Sequence, residues 1–166
     1  MEQNKGKVIA LCGKIASGKT FYANQIKERE NAIIFSIDEL TYYSFDNRKG
    51  ENYIDITQRA LNYFKEKSVD IVNQGINVIL DIGLWSKKER KNISEYFKDK
   101  AIKFEIHYIK IDEKSWKENI NERNKRIDDG NKGFDFYVTE GLKKKMFENW
   151  EEPTEDEVDV IHKVER

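Results

Sequence analysis

Residues 11–20 read Leu-Cys-Gly-Lys-Ile-Ala-Ser-Gly-Lys-Thr, a glycine followed after four residues by Gly-Lys-Thr, directly behind the apolar run Val8–Leu11. That spacing between a strand and a helix is the pattern of a phosphate-binding loop. Its backbone N–H groups turn inward around a phosphate chain, and the helix adds the positive end of its dipole. Gly13 and Gly18 let the chain turn tightly and approach closely, and Lys14, Ile15, Ala16 and Ser17 line the loop between them. Lys19 is expected to reach the terminal phosphates as a point charge. The Thr20 hydroxyl is a hard oxygen suited to Mg²⁺, so ATP and Mg²⁺ are the cofactors implied.

The same loop serves hydrolases, switches and kinases, and the residues that separate them lie at the carboxyl ends of the other strands. Two carboxylates fall there, Asp38 at the end of "IIFSID" and Asp81 at the end of "NVILD". The third strand in sequence is expected beside the first, which places Asp81 near the metal. Asp38, one strand further out, faces an acceptor and is suited to take the proton of its hydroxyl. A carboxylate in such a position also serves as a plain cap of the next helix.

The charged stretch "NERNKR" (121–126) carries Arg123 and Arg126 three residues apart, on neighbouring faces of one helical turn. Followed by the Gly-rich turn "DDGNKG", they suit a lid over residues 115–135 that stabilises charge on a transferred phosphoryl group. The alternative is an ion pair with Glu118 or Glu122. Residues 39–53 form the expected acceptor loop, where Tyr42, Tyr43, Phe45 and Tyr53 offer rings for stacking and Arg48 a fork for an anion. The alternative for these aromatics is that they cover helix edges.

Strands positioning these groups are expected at 7–12, 32–38, 76–83, 102–111 and 157–164, alternating with helices at about 18–30, 55–74, 86–100, 113–127 and 139–150. Gly75 stops the second helix, and Ser86 with Glu89 forms a Ser-x-x-Glu capping box at the start of the third. Strands separated by helices imply parallel pairing and right-handed crossovers. The expected fold class is therefore α/β, a three-layer P-loop NTPase fold with a five-stranded parallel sheet and helices on both faces, in one domain over 1–166.

Composition excludes several classes. The 166 residues contain one cysteine, Cys12, so no internal disulfide forms, and the N-terminus lacks a signal-peptide pattern. Both observations point to the cytoplasm. No apolar run approaches the ~20 residues of a membrane-spanning helix, and mean hydropathy is −0.83. Charged residues make up 37% yet nearly cancel to a net −1, so there is no overall basic field to gather nucleic acid, which leaves such a partner unprompted and not excluded. His107 and His162 lie in different strands with no accompanying ligand set, and Cys12 fits a small apolar core residue.

The segments "GKIASGKT", "SID", "VILDIGLWSKKER", "HYIKIDEKSWKENINERN" and "FENWEEPTEDE" together resemble small P-loop kinases of the AAA-type ATP-binding superfamily, related to chloramphenicol phosphotransferase and zeta-toxin-like kinases. The resemblance spans nearly the whole chain. It implies transfer of the ATP γ-phosphate to a small-molecule hydroxyl, with Gly13 to Thr20 as the loop, Asp38 as the base, and Arg123 and Arg126 in the lid. It also implies that Asp81 and Trp85 of "LD-x-G-x-W" border the site. The tail departs from the commoner Glu-Pro-Pro-Thr, with Glu152 in place of the first proline. Two alternatives stand beside this expectation. An ATPase or nucleotide-dependent switch would carry a sensor region, a helical subdomain and a second acid at its metal strand, and "LDIG" has no second acid. A polynucleotide 5′-hydroxyl kinase would need a basic channel.

Overall fold

A computed structural model of the chain, describing residues 4–45 and 53–165, has five parallel strands in one sheet. They are β1 (Lys7–Cys12), β2 (Ala32–Ser36), β3 (Asn77–Gly83), β4 (Lys103–Ile111) and β5 (Val160–Val164), in the order β2-β3-β1-β4-β5. The helices are α1 (Lys19–Lys27), α2 (Ile37–Phe45), α3 (Tyr53–Asn73), α4 (Lys87–Asp99), α5 (Glu113–Asp128) and α6 (Glu140–Asn149).

The central strand explains the layering. Val8 to Cys12 are completely buried, because alternate residues pack into cores on opposite faces of the sheet. Val8, Ala10 and Cys12 meet Phe64 and Val72 of α3 and Ile93 and Phe97 of α4. Ile9 and Leu11 meet Tyr22, Ala23 and Ile26 of α1. Each such aliphatic side chain contributes about 1.5–3 kcal/mol of burial. A third cluster joins Ile15 and Ala16 of the phosphate loop to Trp116 and Ile120 of α5 and Met146 of α6.

Local signals end the elements where expected. Gly75, at φ 83, donates to the Val72 carbonyl at 3.0 Å and closes α3. At α4 the Ser86 hydroxyl accepts from the Glu89 amide at 3.2 Å, and the Glu89 carboxylate accepts from the Ser86 amide at 2.8 Å.

Two elements differ from the sequence expectation. β2 stops at Ser36, and residues 37–45 of the expected acceptor loop are α2. The Ser36 hydroxyl accepts from the Glu39 amide at 3.3 Å, a second Ser-x-x-Glu start that ends the strand, while Thr41 is buried and Ile37 and Leu40 pack on the α3/α4 core. Asp38 thus sits in the first turn of a helix, where a carboxylate complements the positive helix end. β5 begins at Val160 because Glu155–Glu157 form a single 3₁₀ turn ahead of it.

Candidate active site

The phosphate loop is held from three sides. The Gly13 amide donates to the Gly83 carbonyl at the end of β3 at 2.9 Å. From α5, Trp116 Nε1 donates to the Ile15 carbonyl at 2.7 Å and Asn119 Nδ2 to the Ala16 carbonyl at 2.9 Å. From α6, Met146 Sδ accepts from the Ile15 amide at 3.3 Å. A Cβ at Gly13 would lie 2.6 Å from Ser17 Oγ and 3.0 Å from the Ile109 carbonyl oxygen, so the position has no room for a side chain. Gly18 opens α1 at φ 98, in the left-handed region that glycine adopts freely, and a Cβ there would meet nothing within 4 Å. Ser17 Oγ is buried without a hydrogen-bond partner. The Lys14 ammonium lies over the rings of Trp116, Phe147 and Trp150 at 5.6–5.8 Å, within cation–π range.

Lys19 Nζ donates to the carbonyls of Gly13 and Lys14 at 3.2 and 2.8 Å. Burial in the loop holds this ammonium below the usual lysine range; Asp81 and Asp38 oppose that shift, and Arg123 adds to it. Sheet register brings the two carboxylates toward it. Asp81 pairs with Leu11 on one side and Ser36 on the other, so the end of β3 lies between the starts of the phosphate loop and α2. Asp81 is buried, and its Oδ2 accepts from Thr20 Oγ1 at 2.6 Å. Asp38 is exposed to water as a residue, while the surrounding protein crowds its carboxyl group. This burial, reinforced by the Asp81 charge and opposed by Lys19 and Arg123, pushes its pKa up to about 6. The remaining water contact screens the effect.

α5 supplies two arginines, and the loop after it supplies an acid that meets both. Both Arg123 and Arg126 pair with Asp135, Arg123 through Nη2 at 3.4 Å and Arg126 in a direct hydrogen bond. Arg123, less exposed than Arg126, also bears on the titration of Lys19 and Asp38. The partner that both arginines share is Asp135, which sequence reasoning missed. The only signal for it was an acid just beyond a Gly-rich turn. Its neighbour Phe134 places its ring 5.2 Å from Tyr42 and 5.5 Å from Tyr43, joining the loop to α2. Tyr42 follows Asp38 by one helical turn and lies on the same side of α2. Arg48 lies outside the described residues.

Trp85 projects from a turn in which Gly83 has φ 98 and Leu84 φ 50. Its ring packs on the cluster that contains Ile15, and its carbonyl accepts from the Glu151 amide at 2.9 Å. Beneath it, Arg90 is a buried residue that composition alone did not single out. Its Nη1 donates to the carbonyls of Leu84 and Trp85 at 3.1 and 3.3 Å, and its Nε to Glu157 at 3.1 Å. The tail over residues 151–157 therefore straps the turn through Glu151 on Trp85 and Glu157 on Arg90, while Glu152 reaches β4 and accepts from the Tyr108 hydroxyl at 3.2 Å.

The remaining candidates take structural places. His107 is buried between the Tyr22 hydroxyl at 2.9 Å and Glu105 at 3.1 Å, and His162 lies against the Tyr22 ring. Cys12 is fully buried and its thiol, desolvated, is pushed up to about 11. Among the described residues, no group of three or more His, Cys, Asp or Glu stands ready to hold a metal alone, and no helix is long and apolar enough to cross a membrane.

With a phosphate loop, a carboxylate at the end of the adjacent strand and arginines on the helix after β4, residues 8–146 match the family model described as an AAA domain. The chain belongs to the AAA domain family. The AAA domain's fold is that of P-loop kinases of known structure. The Mycobacterium tuberculosis APS kinase CysC, solved with AMPPNP and APS, superposes with TM-score 0.68 at 13% identity over 98% of this chain and 90% of that one. A gluconokinase from Sinorhizobium meliloti 1021 gives TM-score 0.62 at 13% identity over 99% and 86%. A chain of the Pnkp1/Rnl/Hen1 RNA repair complex gives 0.69 at 14% identity over 88% and 44%. No curated protein sequence matches this AAA domain.

Proposed function

We propose that this AAA domain is an ATP-dependent phosphotransferase of the cytoplasm that moves the γ-phosphate to a hydroxyl of a small molecule. The observation that supports the proposal is geometric: sheet register sets Asp81 between the start of the phosphate loop and the start of α2, and Thr20 donates to Asp81 at 2.6 Å, with Lys19, Asp38 and Arg123 near enough to act on one another's charge. The kinase names of the APS and gluconate neighbours support the same reading.

In this reading the amides from Gly13 to Thr20 enclose the phosphate chain, and Lys19 exchanges its contacts with the Gly13 and Lys14 carbonyls for phosphate oxygens. The acceptor hydroxyl lies against Asp38, between α2 and Trp85. Asp38 takes the proton as the acceptor oxygen bonds to the γ-phosphorus and the bond to the β–γ bridging oxygen breaks, leaving ADP and a phosphate ester. A carboxylate titrating near 6 is ionised at neutral pH and more basic than an ordinary aspartate. Arg123, with Arg126 beside it, meets the charge that spreads over the transferred group.

The residues fit Mg²⁺. The Thr20 hydroxyl and the Asp81 carboxylate are hard oxygens 2.6 Å apart, a donor pair suited to a cation that takes waters and phosphates as its other ligands. Once bound there, the ion supplies neutralising charge to the β- and γ-phosphates.

Incubation with γ-labelled ATP and a panel of hydroxylated antibiotics, nucleosides, sugars and a 5′-hydroxyl oligonucleotide tests the proposal. Label is expected in a small-molecule ester. Label found only in free phosphate would replace the transferase with an ATPase, and label on the oligonucleotide would name a polynucleotide kinase. Asp38→Asn is expected to keep Mg-ATP affinity while lowering kcat by about 10²–10⁴.

A further inference from the structure

The contact made by Asp135 is not explained by phosphoryl transfer itself. One carboxylate, about a third exposed, faces both guanidiniums of α5 from a segment that leaves the helix through two glycines at positive φ. Gly130 and Gly133 have φ 87 and 54, and a Cβ at either would meet nothing within 4 Å. Beyond them the segment is pinned again, where the Asn124 side chain exchanges two hydrogen bonds of 2.8 and 3.0 Å with the Val138 backbone. Residues 130–137 thus form an arc with a fixed far end and glycines at its near end. The arc carries an anion held by the two cations that the transfer mechanism directs at phosphate.

We infer that Asp135 is a positioning residue: it stands in for the phosphate anion, holding Arg123 and Arg126 over the cleft until a triphosphate displaces it. The inference rests on the phosphotransferase reading of the loop and extends it. Lys19 and Arg123 share an electrostatic neighbourhood with Asp38 and Asp81, and Asp135 joins it from the arginine side. Asp135 offsets the mutual repulsion of two arginines three residues apart on α5. Asp135 keeps them paired and aimed, at the cost of competing with the ligand. Such competition lowers apparent affinity by the fraction of molecules in which the arginines are engaged. The carboxylate reaches the site from a turn, whereas a triphosphate brings several charges and the loop amides, so the exchange runs toward the ligand.

The sign of a charge-removing substitution tests this. Inorganic tripolyphosphate, titrated calorimetrically with Mg²⁺ at low salt, reports on the phosphate end alone, with Mg-ATP beside it. Asp135→Asn keeps the size of the side chain and removes its charge, and is expected to bind tripolyphosphate and Mg-ATP about five-fold more tightly than the parent. Adenosine monophosphate, which does not extend to the terminal phosphates, is expected to bind unchanged. Asp129→Asn removes the same charge from the same turn, six residues earlier, and is expected to leave all three affinities unchanged. In an Arg123→Ala background the gain from Asp135→Asn is expected to shrink toward none. A purely structural Asp135 would give equal or weaker binding in Asp135→Asn, and that result overturns the inference. An equal gain from Asp129→Asn also overturns it, since the effect would then be long-range charge. Lys19→Ala separates the two proposals. If it abolishes tripolyphosphate binding while Asp135→Asn matches the parent, this inference falls and the loop assignment stands; if Lys19→Ala binds like the parent, the loop assignment falls and takes the inference with it.

Discussion

The two walls of the cleft are built differently. On the nucleotide side, Gly13, Ile15, Ala16 and Ser17 are buried, and their loop is tied by hydrogen bonds to β3, α5 and α6. On the acceptor side, Asp38, Tyr43 and Phe45 reach water, and the arc from 130 to 137 touches α2 through ring edges and α5 through ion pairs. Contacts of the first kind are desolvated and directional, so a small shift at any anchor is costly. Those of the second are partly solvated and worth little each. A rigid wall suits a ligand that never changes, the phosphate chain. An adaptable wall suits a group that must enter, be shielded from water and leave.

If that contrast is right, the largest effects come from the rigid wall. Trp116 is buried, fills the third core cluster and donates the hydrogen bond that fixes the Ile15 carbonyl. Trp116→Ala is expected to cost about 3–5 kcal/mol of stability in urea unfolding, from the cavity and the carbonyl left without its donor. Mg-ATP affinity should fall with it. Trp116→Phe keeps most of the volume and loses the N–H, so its smaller loss measures the hydrogen bond alone. A Trp116→Ala protein as stable as its parent would remove the distinction between the walls.

How much was legible in the sequence follows the same division. The phosphate-loop pattern and the five strands follow from local signals, the Gly-x-x-x-x-Gly-Lys-Thr spacing, apolar runs and a Ser86–Glu89 cap, while the placement of Asp81 beside β1 followed from the strand order usual in P-loop folds. The acceptor wall did not follow, because its contacts join residues distant in sequence with no period to link them. Asp135 meets α5 across a turn, and Phe134 meets Tyr42 from 92 positions away. α2 was within reach, since Ser36 and Glu39 repeat the spacing read correctly at Ser86, but the aromatic composition of 39–53 argued for a loop. Arg90 was hidden because a charged residue early in a charged helix reads as solvated. Its burial depends on Glu157 and two carbonyls that only the fold brings together.

A medium effect belongs to Asp38, and pH gives it opposite signs in two measurements. Its carboxyl titrates near 6 in the folded protein against 3.8 for an ordinary aspartate. As the base it must be ionised, so transfer should fall about tenfold per unit as pH drops below 6. The folded state holds the proton more tightly than the unfolded chain. The stability linked to this group is therefore full below about 4 and lost as pH rises through about 6. Asp38→Asn should abolish that slope in a thermal-unfolding series and raise the melting temperature at neutral pH relative to the parent. A flat profile for the parent, in activity and in stability alike, would return Asp38 to the role of a helix-end carboxylate.

The smallest effect on stability should come from Phe134, and it sharpens the contrast most. Its ring is 39% exposed and meets Tyr42 and Tyr43 at its edges, so Phe134→Ala removes two partly solvated aromatic contacts worth together about 1 kcal/mol or less. The same contacts are the apolar link between the arc that carries Asp135 and the helix that carries Asp38. Breaking them should leave Mg-ATP affinity unchanged and raise the KM for the acceptor several-fold, because the arc then closes less often over an occupied acceptor site. Phe134→Leu, which fills similar space without a ring edge, should recover stability before it recovers KM. If Phe134→Ala weakens Mg-ATP binding as much as acceptor binding, the two walls move as one unit and the nucleotide side is less independent than its anchors imply.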